Sequence, residues 1–441
     1  MSTAARETAL RVLVSCRKGG AWADGALKTA IAKDRLTGAD AALATRLVYG
    51  VVQNRAWLDF RLGEFCSQKV EKLEPVLLDI LRLGAYQILF LDRVPDSAAV
   101  NEAVNQAKAH RMARASGLVN AVLRKLSARK DQPPRLPENP ADRLSLLYSH
   151  PRWLTERLLE LGGEEETEAF LREDNGTPPV YVQTNPLRTT AQALAEELSA
   201  AGVTVVPHPW LPGCLQLSGT GDLTALPAFQ EGRLLVQDPV AHLAVLAAAP
   251  RPGDRVIDTC AAPGGKSFAA AMEMEGQGEI LSCDLHAHKL RLIEAGAARL
   301  GISCIRTLLA DGRVERPELL GSADVVIVDA PCSGLGIIRK KPDIRQKKAQ
   351  ELRGLPQIQR DILANAAKYV RPGGTLLYST CTILPEENEG VTDAFLDSHP
   401  DFSRENFTLP HFGQMAGQLT FWPQRHGTDG FYVCRMKRKM L

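Results

Sequence analysis

Apolar residues in the first 130 positions recur every three or four residues and almost never alternate. Ala9, Leu10, Leu13 and Val14 share one face of a helix expected over 4–16. A long helical segment opens at Thr37-Gly-Ala-Asp and runs to Cys66. Further helices are predicted over 76–91, 97–110 and 116–126, with Asp96 or Ser97 capping the second after Pro95. No strand signal interrupts the series, so 1–130 reads as an all-α domain. Lys130-Asp-Gln-Pro-Pro-Arg-Leu-Pro-Glu-Asn-Pro then places four prolines in eleven residues, and 131–150 reads as a linker.

The pattern changes beyond it. A helix is expected over 153–171, with Glu164, Glu165, Glu166 and Glu168 as a solvated face. Short strands at 179–184, 203–206 and 214–218 accompany a helix at 190–201, which makes 151–233 a small α/β, RRM-like subdomain. From Leu234 onward, apolar runs at 254–259, 279–283, 305–309, 323–328 and 374–378 alternate with helical stretches at 267–274, 286–300 and 356–370. Such alternation predicts a mainly parallel, doubly wound sheet over 234–441, with helices on both faces. Ligands of such sheets bind beyond the carboxyl ends of the strands.

Composition narrows the setting. With 441 residues, 45% of them hydrophobic, the chain can bury several cores. Its formal charge of +2 is unevenly spread. Residues 1–130 hold 21 Lys+Arg against 12 Asp+Glu; 131–235 hold 7 against 15; 236–441 hold 25 against 24. The basic first third is either an electrostatic footprint for nucleic acid or a solvated helical surface. Nine cysteines are an odd number with no C-x-x-C pair, which argues against a disulfide framework and against a structural metal site. No signal peptide is recognisable, and the best apolar candidate, 76–91, is broken by Asp79 and Arg82, which excludes a membrane span. A reducing, cytoplasmic location is expected.

The chemistry collects at strand ends. Asp258-Thr-Cys-Ala-Ala-Pro-Gly-Gly-Lys-Ser is a strand end, a turn of small residues and a helix start, where backbone N–H groups are free for a ligand. A phosphate loop needs glycine five positions before Gly265, and Cys260 stands there, so a nucleotidase is excluded. Asp284 ends the next strand, placed to accept both hydroxyls of a ribose, and Asp311 follows the third, placed to meet an adenine amino group. Each alone reads as a cap or turn residue; the series points to a ligand. Asp329-Ala-Pro-Cys-Ser-Gly and Tyr378-Ser-Thr-Cys-Thr-Ile-Leu-Pro-Glu-Glu-Asn-Glu each put a thiol just past a strand, so Cys332 and Cys381 are expected to face one cleft.

Cys260-Ala-Ala-Pro-Gly-Gly-Lys, Asp329-Ala-Pro-Cys and Ser379-Thr-Cys-Thr-Ile-Leu-Pro-Glu-Glu-Asn-Glu resemble the motifs of RNA (cytosine-5)-methyltransferases. Gly427-Thr-Asp-Gly-Phe-Tyr resembles their closing strand, and Gln237-Asp238 the segment before the cofactor fold. Leu83-Gly-Ala-Tyr-Gln-Ile-Leu-Phe-Leu-Asp-Arg-Val-Pro and Ala99-Val-Asn-Glu-Ala-Val are similar to the NusB-like domain fused to bacterial RsmB (Sun/Fmu) enzymes, which methylate a cytosine of small-subunit (16S) ribosomal RNA. The resemblance covers nearly the whole chain. It implies a multidomain protein: a NusB-like all-α RNA-binding domain, the small α/β subdomain, and a Rossmann-like class I methyltransferase domain using S-adenosylmethionine.

The resemblance also implies roles. Cytosine C5 is a poor nucleophile until a thiolate adds to C6. The thiolate would be Cys381, and Cys332 would assist loss of the C5 proton or release of product. Asp329 would hold the base near N3 and N4 and border the cofactor; Lys266 would favour thiolate formation or orient the base. Cofactor contacts map to Cys260, Ala261, Ala262, Pro263, Gly264, Gly265, Lys266, Asp284, Asp311 and Asp329. Arg339, Lys340, Lys341, Arg345, Lys347 and Lys348 put six cations in ten residues after Cys332, either a solvated run or, as expected here, contacts to RNA phosphates. A monomer suffices. The same chemistry on transfer RNA or large-subunit RNA, or an antitermination-like RNA-binding factor with a vestigial enzyme, are the competing readings.

Overall fold

The computed structural model describes residues 3–19 and 23–440. The chain forms two compact units, Met1–Gly176 with Ile338–Ala349, and Thr177–Ile337 with Gln350–Leu441.

The first unit is helical: α1 (Thr3–Gly19), α2 (Ala23–Asp34), α3 (Gly38–Gln53), α4 (Arg55–Gly63), α5 (Pro75–Phe90), α6 (Asp96–Ala109), α7 (Ser116–Ala128), α8 (Pro140–Leu147) and α9 (Arg152–Asp174). Leu10, Leu47, Leu58, Leu62, Ile80, Leu81 and Leu83 are fully buried in its core. Each contributes about 2 kcal/mol by leaving water. α5 runs through the middle, and its two charges survive there because they are paired. Arg82 reaches both carboxylate oxygens of Asp59 at 2.7 Å and Asp79 at 2.9 Å.

The helical unit differs from expectation in four ways. The segment 37–66 is two helices, broken at Asn54, whose side chain bonds the Gly50 carbonyl at 2.9 Å and competes with the helical ladder. α2 carried too weak a pattern to be singled out. Neither Asp96 nor Ser97 caps α6; Pro95 stands at the cap, and Asp96 accepts instead from Ser127 (2.7 Å) and Lys130 (3.1 Å). The stretch 131–150 is more than a linker, and the boundary at 151 falls inside the helical unit, which runs to Gly176. The last proline of the cluster, Pro140, occupies the first turn of α8, and Asn139 Oδ1 accepts from Asp142 N at 3.2 Å. A proline there costs no hydrogen bond, so a linker signal starts a helix.

The segment 338–349 completes this unit and corrects the reading of its cations. Arg345 is 7% exposed. Its guanidinium donates to the carbonyls of Gln53 (3.1 Å), Tyr148 (3.0 Å) and Asp174 (3.2 Å). Arg339 is equally buried; its backbone N–H donates to Asp174 Oδ1 and its side chain pairs with Glu173. Trp153 Nε1 donates to the Lys347 carbonyl at 3.0 Å. Arg339 and Arg345 are therefore internal ties here, not surface contacts for RNA. Lys341 and Lys348 are exposed, and Lys340 and Lys347 half-buried.

The second unit begins with β1 (Val180–Thr184), β2 (Thr204–Pro207), β3 (Cys214–Ser218) and β4 (Leu234–Val236), an antiparallel sheet in the order β2-β3-β1-β4. With helices Ala191–Ala200 and Pro227–Gln230 the chain order is β-α-β-β-α-β, a ferredoxin-like split arrangement. Leu234, where the sequence places the next domain, lies within its last strand.

The rest of the chain forms β5 (Arg255–Asp258), β6 (Glu279–Asp284), β7 (Ile305–Leu309), β8 (Ala323–Asp329), β9 (Val370–Thr380), β10 (Phe402–Arg404), β11 (Phe407–Leu409), β12 (Gly413–Met415), β13 (Gln418–Phe421) and β14 (Phe431–Arg438), all but β11 and β12 in one larger sheet. The order β7-β6-β5-β8-β9 is parallel throughout; β14 adds antiparallel to β9, and β10 and β13 pair with β14, while β11 and β12 form a separate hairpin. The order reverses between β5 and β8, which opens a crevice above their carboxyl ends. Val256, Ile257, Val326, Ile327, Val328, Leu376 and Leu377 are nearly or fully buried, as both faces are covered. No helix among the described residues is long and apolar enough to cross a membrane.

Replacing Arg345 by Met removes the donors from a buried carbonyl cage. We expect the helical unit to lose about 3 kcal/mol, read as faster hydrogen exchange in α8 and α9. Lys348→Met, at an exposed position, should change it by less than about 0.5 kcal/mol. Unchanged exchange in Arg345→Met would mean the cage carries no stability.

Candidate active site

β5 ends at Asp258, which is fully buried. Ser267 Oγ donates to its Oδ2 at 2.7 Å and Ser282 Oγ donates to Ser267 at 2.8 Å, while Oδ1 has no hydrogen-bond partner. Burial lifts this carboxyl to about 7 against the hydrogen bond from Ser267, with Asp329 pushing the same way. The chain then turns through Cys260, Ala261, Ala262, Pro263 and Gly264 into helix Gly265–Glu273. Ala261 N donates to the Cys283 carbonyl at 2.8 Å, which ties this turn to β6. Gly264 has φ +109°, and a Cβ on it would lie 2.4 Å from the Phe268 ring. Only glycine gives that approach without strain. Gln237 Nε2 donates to the Gly265 carbonyl at 2.8 Å and steadies the helix start.

The strand-end acids are placed as the sequence suggests, but they are not equally available. Asp284 is 8% exposed; its Oδ1 accepts from His286 N at 3.0 Å, and Lys289 Nζ stands 3.9 Å away. Asp311 is gripped by Arg313, which donates from its backbone N–H and guanidinium at 3.0, 3.0 and 2.7 Å. Those bonds hold its carboxyl down at about 2. Both of its oxygens thus already have a partner.

At the end of β8, Asp329 meets Lys266. Lys266 is 7% exposed, with its Nζ 2.6 Å from Asp329 Oδ2 and 4.9 Å from the centre of the Phe431 ring. Ser379 Oγ donates to Asp329 Oδ1 at 2.8 Å. The β8–β9 ladder makes Asp329 and Ser379 direct partners, so the loops carrying Cys332 and Cys381 leave the sheet side by side.

The two sulfurs lie 3.2 Å apart, both as free thiols and both half-buried. The contact with Cys381 and burial together hold the Cys332 thiol well above its ordinary range, with the carboxylates of Glu387 and Asp329 adding to the effect. Gly336 N donates to the Cys381 carbonyl at 3.0 Å, and Gly430 N to the Gly336 carbonyl at 2.8 Å. A Cβ on Gly336 would lie 1.9 Å from the Gly430 oxygen, so the loop after Cys332 and the start of β14 can pack only as bare backbone.

The structure thus gathers Asp258, Lys266, Asp329, Cys332 and Cys381 at neighbouring strand ends of one sheet. It also brings in residues to which sequence reasoning gave no role. Ser379 and Phe431 touch Asp329 and Lys266, and Gln359, Thr382, Glu387 and Asn388 lie beneath the thiols. The only signal for Glu387 and Asn388 was their place in a quoted motif, and nothing in a run of acids before a helix reveals which one is buried.

Three family models match the chain. "16S rRNA methyltransferase RsmB/F" covers residues 245–437, "NusB family" residues 3–128, and an RsmF/B-like ferredoxin-like domain residues 150–224. The probable ribosomal RNA small subunit methyltransferase B of Bacillus subtilis (strain 168) is 35% identical over 447 residues, spanning 99% of each chain. The ribosomal RNA small subunit methyltransferase B of Erwinia tasmaniensis is 31% identical over 403 residues, spanning 91% of each. Among solved structures, that of PH0851 superposes with a TM-score of 0.82 at 29% identity over 99% of both chains. That of NSun6 from Pyrococcus horikoshii with SFG covers 66% of this chain and 99% of its own, at a TM-score of 0.59 and 23% identity, which is a likeness of fold. With a strand-end site of this composition and relatives that match it end to end, the chain belongs to the ribosomal RNA small subunit methyltransferase B family.

Proposed function

We propose that the protein methylates C5 of a cytosine in small-subunit ribosomal RNA, through a covalent bond between Cys381 and C6 of the base. The observation that carries this reading is the pair of free thiols 3.2 Å apart beside the Asp329–Lys266 ion pair. Two thiols so close are of little use to a fold that could fill the space with methyl groups. They suit a reaction in which one sulfur bonds the base and the other handles the proton that methylation releases.

S-adenosylmethionine is the cofactor of this family, and the residues present fit it. The buried Asp258 keeps one oxygen without a partner, and the helix N-terminus after Gly264 offers N–H donors with no side-chain cap. Asp284 would take ribose hydroxyls, and the turn Cys260–Lys266 would line the remainder. Asp311, held by Arg313, would contribute through a remaining lone pair. The cofactor supplies an electrophilic methyl group on a sulfonium.

The chain's own residues prepare the base. Cys381 adds to C6, which turns C5 into an enamine-like nucleophile. Asp329 holds the N3 and N4 edge; Lys266 and Ser379 each occupy one lone pair of its carboxylate, and further lone pairs stay open for the base. Lys266 stays poised between that carboxylate and the Phe431 ring, where it orients Asp329 toward the base. After transfer Cys332 takes part in removing the C5 proton, and the Cys381–C6 bond then breaks to restore the aromatic ring and release product. The base must leave any stack to reach the sulfurs, so single-stranded or distorted RNA is the substrate. Of the basic run, Lys340, Lys341, Lys347 and Lys348 are half-buried or exposed, and they would make the phosphate contacts.

Two experiments test this reading. Cys332→Ala protein mixed with unmodified small-subunit RNA and S-adenosylmethionine should give a covalent protein–RNA band on a denaturing gel. The band should vanish in Cys332→Ala/Cys381→Ala. A band formed with transfer RNA or large-subunit RNA instead would keep the chemistry and move the substrate. No band with any RNA would overturn the two-thiol assignment and favour an RNA-binding factor.

The second concerns Asp258, whose folded-state value near 7 lies above the unfolded value of about 3.9. Its protonated form is the one the fold favours. The contribution is full below about pH 4 and lost as pH rises through about 7. Asp258→Asn has no such slope. Without cofactor, the variant should gain thermal stability relative to wild type between about pH 5 and about pH 8. Parallel curves would show that Asp258 does not titrate there.

A further inference from the structure

Beneath the two thiols lies a buried carboxylate with no part in the chemistry above. Glu387 is 2% exposed and belongs to the run Pro385-Glu-Glu-Asn-Glu, of which Glu386 is exposed. Its Oε2 accepts from Ser333 N at 2.8 Å, the residue just after Cys332. The same oxygen accepts from Gln359 Nε2 at 2.8 Å, and that amide also donates to the Pro331 carbonyl at 3.0 Å, the residue just before Cys332. Its Oε1 accepts from Thr382 Oγ1 at 3.4 Å, the residue just after Cys381, and Thr382 Oγ1 lies 2.6 Å from Ser333 Oγ. Asn388 extends the clasp: its Nδ2 donates to the Thr382 carbonyl at 3.1 Å and its Oδ1 accepts from Thr380 Oγ1 at 2.6 Å. Tyr378 OH closes it from β9 by donating to the Glu387 carbonyl at 2.7 Å.

Most of these bonds reach a residue flanking a thiol, directly or through Gln359. A buried carboxylate is costly unless its lone pairs are filled, and here they are filled by the two loops and the Gln359 amide. We infer that Glu387 is the positioning residue of the site: it fixes the separation of Cys332 and Cys381 and keeps the Cys332 side of the pair the more negative. Ser333 Oγ and Thr382 Oγ1 also join the two loops directly at 2.6 Å, and Glu387 holds both of those residues at once. The charge matters as well as the shape. Cys332 faces Cys381, Glu387 and Asp329, and the two carboxylates oppose ionisation of its thiol. The role in turnover rests on the function proposed above; the role in holding and charging the thiols does not.

Three variants of the full-length protein test this. Glu387→Ala removes the clasp, Glu387→Gln keeps its shape and loses the charge, and Glu387→Asp keeps the charge on a shorter arm. In Glu387→Ala we expect kcat for methyl transfer to fall about 100-fold while KM for S-adenosylmethionine stays within about twofold, as for a displaced reacting group. In a Cys381→Ser background, alkylation of Cys332 by iodoacetamide is followed against pH by peptide mass spectrometry. Glu387→Gln should move that profile to lower pH, and Glu387→Asp should leave it near wild type. Wild-type kcat in Glu387→Ala, or an unmoved profile in Glu387→Gln, would overturn the inference. The alkylation profile needs no RNA, so it still decides the matter if wild-type protein methylates no small-subunit RNA. If Glu387→Ala does not fold, the Gln and Asp variants carry the test alone.

Discussion

The parallel ladder between β8 and β9 governs what happens at the carboxyl end of the sheet. Its register sets Asp329 directly opposite Ser379. Three residues on from the first and two from the second stand the thiols. A slip of one residue would turn every side chain of one strand to the other face. Asp329 would lose Ser379 and Lys266, and the sulfurs would leave the sheet in different directions. The buried runs on both strands prevent that slip, because Val326, Val328 and Leu376 have no tolerable place in water. Core packing and site geometry are thus one constraint seen from two ends.

Around that ladder the site divides its work by burial. Groups that hold things in place lie deep: Asp258, Glu387, Asn388 and Ser267 are at or near zero exposure. Groups that would touch ligand, such as Asp329 and the two thiols, are half-buried. This layering fills most of the inner groups with hydrogen bonds, Asp258 Oδ1 excepted, while the outer atoms keep spare lone pairs. It also explains the pairing of Lys266 with both Asp329 and the Phe431 ring. A lysine so nearly buried needs a counter-charge and a polarisable surface, and the site provides one of each.

Much of this was legible in the residues because local chemistry and global fold agree. The parallel strands show as β-branched runs that stop at an acid, and the small-residue turn before Lys266 shows where a strand meets a helix. What stayed hidden depends on distant parts of the chain. Strand β9 begins at Val370, earlier than its apolar run implies, because Ala323 pairs with Val370 before the ladder shifts register. Arg339 and Arg345 sit in a run of cations that reads as solvent-facing, yet their partners lie on α9 and near α3, more than 150 positions away. Glu387 looks like any first-turn acid near the helix Glu389–Ser398, and only the arrival of Ser333 and Gln359 reveals its role. Periodicity records which face is buried; it does not record which polar atom meets which.

The caging of Arg345 has a consequence for how the molecule is made. Its acceptors on Gln53, Tyr148 and Asp174 belong to the first part of the chain, whereas the guanidinium belongs to residue 345. Chains generally fold from the N-terminus as they leave the ribosome, but here the earliest unit waits for a late segment. Until the strap 338–349 has emerged, those carbonyls must be satisfied by water, and the helices around them stay incompletely packed. By then the strands from β1 to β8 have already been synthesised, so half of the larger sheet precedes the segment that completes the helical unit. A shortened chain that stops at Gly176 would never receive its last internal cation.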